Sequence, residues 1–269
     1  MTYETITATP LSPHIGAEIG NIDLTKPLSE KAQEELRDAF IRYQVIFFRD
    51  QAMNPEDMVR FGGYFGQLAK HVGIKPNSQS TDHPFIRKYH FDEASRRISE
   101  RELHSDQSCA AIPPAGSFLY NHTVPPDGGG DTMFASMYSA YDALSARMKT
   151  YLAGLTATHD GTRAFGSGSP VSSHPVVVRH PESGKKAIFV NAGFTTRINE
   201  LPDREGKHVL QFLIDHCDRA EWTCRFRWRP HSIAFWDNRC TLHKAIFDYW
   251  PHVRSGYRIY IQGATPPAG

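Results

Sequence analysis

The stretch "RSGYRIYIQ", Arg254 to Gln262, alternates two kinds of residue. Arg254, Gly256 and Arg258 fall on one parity, and Tyr257, Ile259 and Ile261 on the other. Successive side chains of a strand point to opposite faces. The stretch therefore reads as a strand with one apolar face and one face carrying two arginines. A charge buried without a partner is costly. If the arginine face lines a barrel interior, each guanidinium must meet an anion. No carboxylate at matching period stands nearby in the sequence. Two anionic ligands, one per arginine, would satisfy both, since the planar fork of arginine suits a carboxylate or sulfonate. The plainer alternative is an edge strand with both arginines in water.

Further strands surround this one in the sequence: "GSFLYNHT" (116–123), "HPVVVRH" (174–180), "KAIFV" (186–190), "WTCRFRW" (222–228) and "SIAFWDN" (232–238). The turn residues Pro181, Glu182, Ser183 and Gly184 make a hairpin of the second and third. Helical spacing appears in residues 28–44, 141–155 and 204–218. Another helix opens at Asn54, with Pro55 in its first turn and acids following. Many short strands with few helices predict a mainly β fold with helices packed outside, a barrel or jelly roll, as a single domain over residues 1–269.

Thirty basic residues balance 29 acidic ones, which argues against a broad basic field for nucleic acid. No run of about 18 apolar residues offers a membrane span. The start "MTYETITATPLSP" lacks the basic and apolar parts of a signal peptide, so the expected location is the cytoplasm. Cys109, Cys217, Cys224 and Cys240 show no CxxC spacing and read as small buried hydrophobes. Trp228 and Trp236 read as core, and His159, His174 and His180 as structural histidines. His90 is a further residue that could sit near a site.

The chemistry concentrates in "ELHSDQSC", residues 102–109. His104 and Asp106 at i and i+2 would project from one face of a strand. Two histidines and one carboxylate on one face of an octahedron, with open positions left over, mark non-haem iron(II) oxygenases. An HxD pair alone is weak evidence in a chain with 14 histidines. The best third partner is His243, in "WDNRCTLHKA" just before the arginine strand.

Together with "LTKPLSE", "YQVIFFRDQAMNPED", "FGQL", "PPAGSFLY", "GGDTMFASMYSAYDAL" and "IAFWDNRCTLH" followed by "RSGYR", these motifs resemble the taurine dioxygenase / 2,4-dichlorophenoxyacetate dioxygenase family over nearly the whole chain. The resemblance implies a double-stranded β-helix (jelly roll) and an iron(II)- and 2-oxoglutarate-dependent oxygenase that consumes O2. It implies His104, Asp106 and His243 as iron ligands. It implies Arg254 and Thr132 as binders of the distal carboxylate of 2-oxoglutarate, and Arg258, His71, Phe165 and Phe194 as substrate contacts. The expected substrate is a small-to-medium organic anion: a sulfonate, alkyl sulfate, aryloxy acid or other carboxylic acid. No nucleic-acid or membrane partner is expected, and a homo-oligomer stays compatible with the reading. Taurine dioxygenase proper, and a non-catalytic anion binder on the same fold, are the alternatives. Two departures speak against taurine itself. Glu100 replaces an asparagine four residues before the first expected ligand, and "GSGSPVSS" (166–173) replaces a long helical insertion with what reads as a short flexible loop.

Overall fold

In the computed structural model, which describes residues 2–73, 83–96 and 101–269, the arginine stretch is the strand Arg254–Ile261 of an eight-stranded sheet. Gly116–Thr123 pairs with one edge of it, and Leu68–Ala69 and Arg87–Phe91 with the other. Beyond Gly116–Thr123 the order runs through Ser232–Asp237, Val45–Phe48, Ala17–Gly20 and Thr7–Pro10. Thr132–Ser136 centres a smaller sheet between Thr223–Phe226 and Thr241–Ala245. Thr156–Asp160 centres another, between Thr195–Ile198 and Val171–Pro175. Val177–Arg179 and Lys186–Ile188 form the expected hairpin. The protein is mainly β, with helices packed on it.

Strand alternation sorts the core. Phe118, Tyr120, Ile233, Phe235, Ile259 and Ile261 pack with Leu36 and Phe40 of helix Glu30–Tyr43 and with Met58 and Phe61 of helix Pro55–Gly63. Leu119, Ala234 and Trp236 instead join Phe47, Phe134, Phe226 and Trp228. Phe134 and Phe226 belong to the Thr132–Ser136 sheet, so this second cluster is the layer between two sheets. Burying each such large apolar side chain contributes about 1.5–3 kcal/mol. The arginines follow the same parity. The Cζ of Arg258 lies 5.1 Å from the Trp236 ring centroid, and that of Arg254 lies 5.6 Å from Trp228. The apolar face of the strand thus meets the helices, and the arginine face looks inward.

The helices begin where the sequence offers caps. The Ser29 hydroxyl accepts from Ala32 N–H, and Asn54 forms a reciprocal capping box with Asp57. The expected 141–155 helix is two helices, Met137–Asp142 and Ala146–Leu152. Apolar spacing runs on across the break, but Ser145 stops the first helix by capping the second, its Oγ accepting from Met148 N–H at 3.2 Å. The expected flexible loop 166–173 is also corrected. Gly166 and Gly168 turn the chain at φ 91° and 84°, and from Val171 onward it is a strand paired with Thr156–Asp160.

One glycine shows how closely the central strands approach. A register shift between Ser255 and Gly256 leaves His122 of the neighbouring strand as an extra residue. A Cβ on Gly256 would stand 1.9 Å from the Tyr120 carbonyl oxygen. Because that neighbour is backbone, it cannot swing away. Gly256→Ala should therefore destabilise the protein by about 3 kcal/mol, the upper end for overpacking, and lower the urea midpoint accordingly. An unchanged midpoint would mean that the bulge tolerates a methyl group.

Candidate active site

His104 and His243 are joined by backbone before their side chains meet. His104 N–H donates to the His243 carbonyl at 3.0 Å, and His243 N–H to the His104 carbonyl at 2.8 Å. This isolated antiparallel bridge puts both imidazoles on one side of the pair, with ring centroids 4.2 Å apart. Asp106 is placed by other means. The reading of His104 and Asp106 as one strand face is corrected, because the chain leaves extended structure after His104 and Asp106 opens a turn. A polar network holds it instead. Asp106 N–H donates to Asn238 Oδ1 at 3.3 Å, and Ser117 Oγ donates to the Asp106 carboxylate at 2.6 Å. Asn238 Nδ2 donates to Ser117 Oγ at 2.8 Å, and Trp236 Nε1 to Asn238 Oδ1 at 3.0 Å.

The three side chains offer ligand atoms that all lie within 4.8 Å of one another. His104 Nε2 and His243 Nε2 stand 3.9 and 3.7 Å from Asp106 Oδ1. Atoms bound at about 2.0–2.2 Å to one cation are roughly 3–4 Å apart, so this donor set fits a divalent ion. The contact of His104 Nδ1 with the Glu102 carbonyl, 2.8 Å, fits an N–H donor there. That tautomer leaves Nε2 with its lone pair for a metal. A second group, His180, Asp237 and Cys240, is equally close-set but is already satisfied. Arg239 holds Asp237 through contacts of 2.8 and 2.6 Å, and His180 Nε2 lies 3.0 Å from it. Burial opposes charge on Asp237, but Arg239 outweighs it and brings the carboxyl down to about 2. Burial pushes the Cys240 thiol well above its ordinary range.

Each arginine has a different answer. Arg258 Nη2 donates to both oxygens of Asp106 at 2.8 Å and lies 3.0 Å from His243 Nε2. No carboxylate stands nearby in the sequence at matching period, and the partner of Arg258 lies 152 residues away in the chain, where strand period cannot show it. Arg254 is 3% exposed. Its Nη2 is 3.5 Å from Thr132 Oγ1, and Trp228 Nε1 donates to that hydroxyl at 3.0 Å. Tyr89 and Trp228 flank the guanidinium, each 5.6 Å from its Cζ. Among the described residues no carboxylate pairs with Arg254, and its Nε has no acceptor.

Beside Asp106 opens a cavity of about 390 Å³. His71, His104, Asp106, Phe165, Phe194 and Arg258, all singled out from the sequence, line it. Arg254 and Thr132 do not line it. Phe165 ends the short helix Thr162–Phe165, and its ring lies 5.6 Å from Phe194 and 5.0 Å from His71. Sequence reading missed Arg87, Glu102, Gln107 and Tyr260, which also line the cavity. Strand parity could have found Arg87, but nothing in the sequence pairs its strand with Arg254–Ile261. His90 is exposed, 3.6 Å from Asp92, and does not line the cavity. Glu100 lies outside the described residues. His159 is buried, which brings its imidazole down to about 3. It stays neutral at physiological pH, 3.0 Å from the Ser108 hydroxyl of the turn that follows Asp106.

A family model described as "Taurine catabolism dioxygenase TauD, TfdA family" matches residues 7–260. An alpha-ketoglutarate-dependent sulfonate dioxygenase of Saccharomyces cerevisiae is 32% identical over 276 residues, covering 95% of this chain and 66% of its own. The crystal structure of a taurine dioxygenase from Burkholderia xenovorans matches with a TM-score of 0.88 at 34% identity, covering 98% of this chain and 91% of that one. The crystal structure of AAD-2 in complex with Mn(II) and N-oxalylglycine matches with a TM-score of 0.83 at 25% identity, covering 98% and 100% of the two chains.

The packing around His104 makes the donor set testable. A Cβ on Gly193 would lie 2.8 Å from the His104 Cβ, too close without displacing the imidazole. Gly193→Ala should weaken manganese(II) or iron(II) binding roughly 10- to 100-fold, the usual effect of disturbing the support of a ligand. Competition with a coloured chelator measures this. Unchanged affinity would detach His104 from the metal.

Proposed function

The chain belongs to the TauD/TfdA dioxygenase family, and from that premise we propose that it hydroxylates a small-to-medium organic anion at the cavity beside Asp106. The enzyme is an iron(II)- and 2-oxoglutarate-dependent oxygenase. Its overall reaction converts substrate, O2 and 2-oxoglutarate into hydroxylated product, succinate and CO2. The observation that carries the reading is the convergence of His104, Asp106 and His243. Two imidazoles and one carboxylate leave coordination positions open for a chelating cosubstrate and oxygen. Iron(II) bound there supplies the oxygen activation, and the protein supplies binding, orientation and exclusion of water.

Each residue then has a task. His104, Asp106 and His243 hold the metal, with Ser117 and Asn238 fixing the carboxylate. Arg254 receives the far carboxylate of 2-oxoglutarate, assisted by Thr132. Support comes from burial: a guanidinium ringed by aromatic side chains, with no carboxylate partner among the described residues, needs an anion. Arg258 faces the anion of the organic substrate, His71 assists it, and Phe165 and Phe194 cover the carbon part. A volume of about 390 Å³ falls within the ~300–1,000 Å³ of small-molecule sites. The whole chain acts as one catalytic unit on a double-stranded β-helix. Support for that topology is the Thr132–Ser136 sheet facing the eight-stranded sheet across Phe47, Phe134 and Trp236.

Arg254→Ala should weaken 2-oxoglutarate binding by about 3 kcal/mol, roughly a hundredfold, by removing a charged partner from a closed site. Anaerobic titration of the coloured iron–2-oxoglutarate chelate reads this directly. A wild-type panel of sulfonates, alkyl sulfates and aryloxy acids, followed by succinate, should reveal at least one coupled substrate bulkier than taurine. An unaltered Arg254→Ala titration, or taurine exceeding every bulkier anion, contradicts the reading.

A further inference from the structure

Arg258 faces a residue of its own charge across the sheet. Arg87 is its Cα partner in the antiparallel pairing with Arg87–Phe91. Residues directly opposite share a face, and both arginines line the cavity. Like charges in that relation destabilise a strand pair. Arg258 is answered by Asp106. Arg87 is half-buried, and among the described residues its side chain has no ion pair or hydrogen bond. Glu102, the other acid among the described residues lining the cavity, pairs with Arg163 at 3.0 Å.

A second donor waits on another wall. Gln107 follows Asp106 directly, is 2% exposed and holds a left-handed backbone at φ 51°. That conformation is uncommon for a residue with a side chain and clusters at functional sites. Its Oε1 accepts from Val72 N–H at 2.8 Å, which settles which end of the amide is oxygen. Its Nε2 is buried and has no acceptor among the described residues. A buried donor left unpaired is a cost that an arriving acceptor removes. Gln107 also lines the cavity.

We infer that Arg87 and the Gln107 carboxamide form a second anion-recognition edge of the cavity, and that both determine specificity by donating to oxygens of the substrate's anionic group. This rests on reading the cavity as the site of an organic anion. Arg87 supplies the charge, while Gln107 supplies one directed donor beside the metal-binding carboxylate. An anion held by both leaves its carbon part for Phe165 and Phe194. Neither residue takes part in bond making. Gln107 also ties the turn after Asp106 to the segment bearing His71, so its donor is held in place before substrate arrives.

The test compares wild type with Arg87→Gln and Gln107→Glu, using pentanesulfonate, hexyl sulfate and 2,4-dichlorophenoxyacetate as probes. Calorimetry measures probe binding, and thermal denaturation without probe measures stability. Arg87→Gln should bind the best probe at least tenfold more weakly. Its thermal midpoint should equal or exceed that of wild type, because one of two facing charges is gone. Gln107→Glu keeps an acceptor for Val72 N–H but turns the donor into a negative charge, and it too should lose at least tenfold. Gln107→Met removes both contacts and controls for the strap. A purely structural role gives the opposite pattern: a lower midpoint and normal probe affinity in Arg87→Gln, and wild-type affinity in Gln107→Glu. Either result overturns the inference, as does wild type that binds none of the three probes. Absence of the iron–2-oxoglutarate chelate in wild type counts instead against the oxygenase reading, and probe calorimetry on the protein alone still decides the roles of Arg87 and Gln107.

Discussion

Two backbone hydrogen bonds, between the amides and carbonyls of His104 and His243, are the constraint on which the site depends. They fix the separation and mutual orientation of two imidazoles contributed by distant parts of the chain. The sheet around Thr132–Ser136 carries the His243 strand, and the close approach at Gly193 holds His104 against it. The carboxylate is placed independently, through Asn238 and Ser117. Both are buried residues that follow or face Trp236 in the layer between the sheets. The core and the site are therefore one construction: Trp236 packs the layer, donates to Asn238 and lies 4.5 Å from the His243 ring.

Charge gives the site its direction. Three arginines, Arg87, Arg254 and Arg258, stand on two paired strands, and among the described residues only Arg258 is met by a carboxylate, that of Asp106. Such an excess of guanidinium groups is costly in a low-dielectric interior. It is suited to a reaction whose two organic reactants both arrive as anions. On the proposed function, Arg254 and Arg258 divide the work between cosubstrate and substrate, and their spacing along one strand keeps the two anions apart.

The sequence disclosed what depends on short-range pattern. Alternation in residues 254–262 separated the inward arginines from the isoleucines that pack on the helices, and Asn54 marked a helix start that the structure keeps. Pattern failed where tertiary structure decides. Helical spacing over 141–155 runs straight through the break at Ser145. The Gly-Ser composition of 166–173 hid a strand edge supplied by Thr156–Asp160. The HxD motif drew attention to two residues that the fold brings together with His243, but for an incomplete reason, since Asp106 owes its position to Asn238 and Ser117 rather than to strand parity. Arg258 and Asp106 find each other only through folding. Arg87 and Gln107 escaped notice because their significance lies in what each fails to contact.

Binding of one metal ion by His104, Asp106 and His243 is open to direct measurement by pulsed electron paramagnetic resonance of the protein loaded with manganese(II). Two directly bonded imidazole nitrogens are expected, falling to one in His243→Ala. A spectrum showing no bound nitrogen in the wild-type protein, or two that persist in His243→Ala, would contradict it.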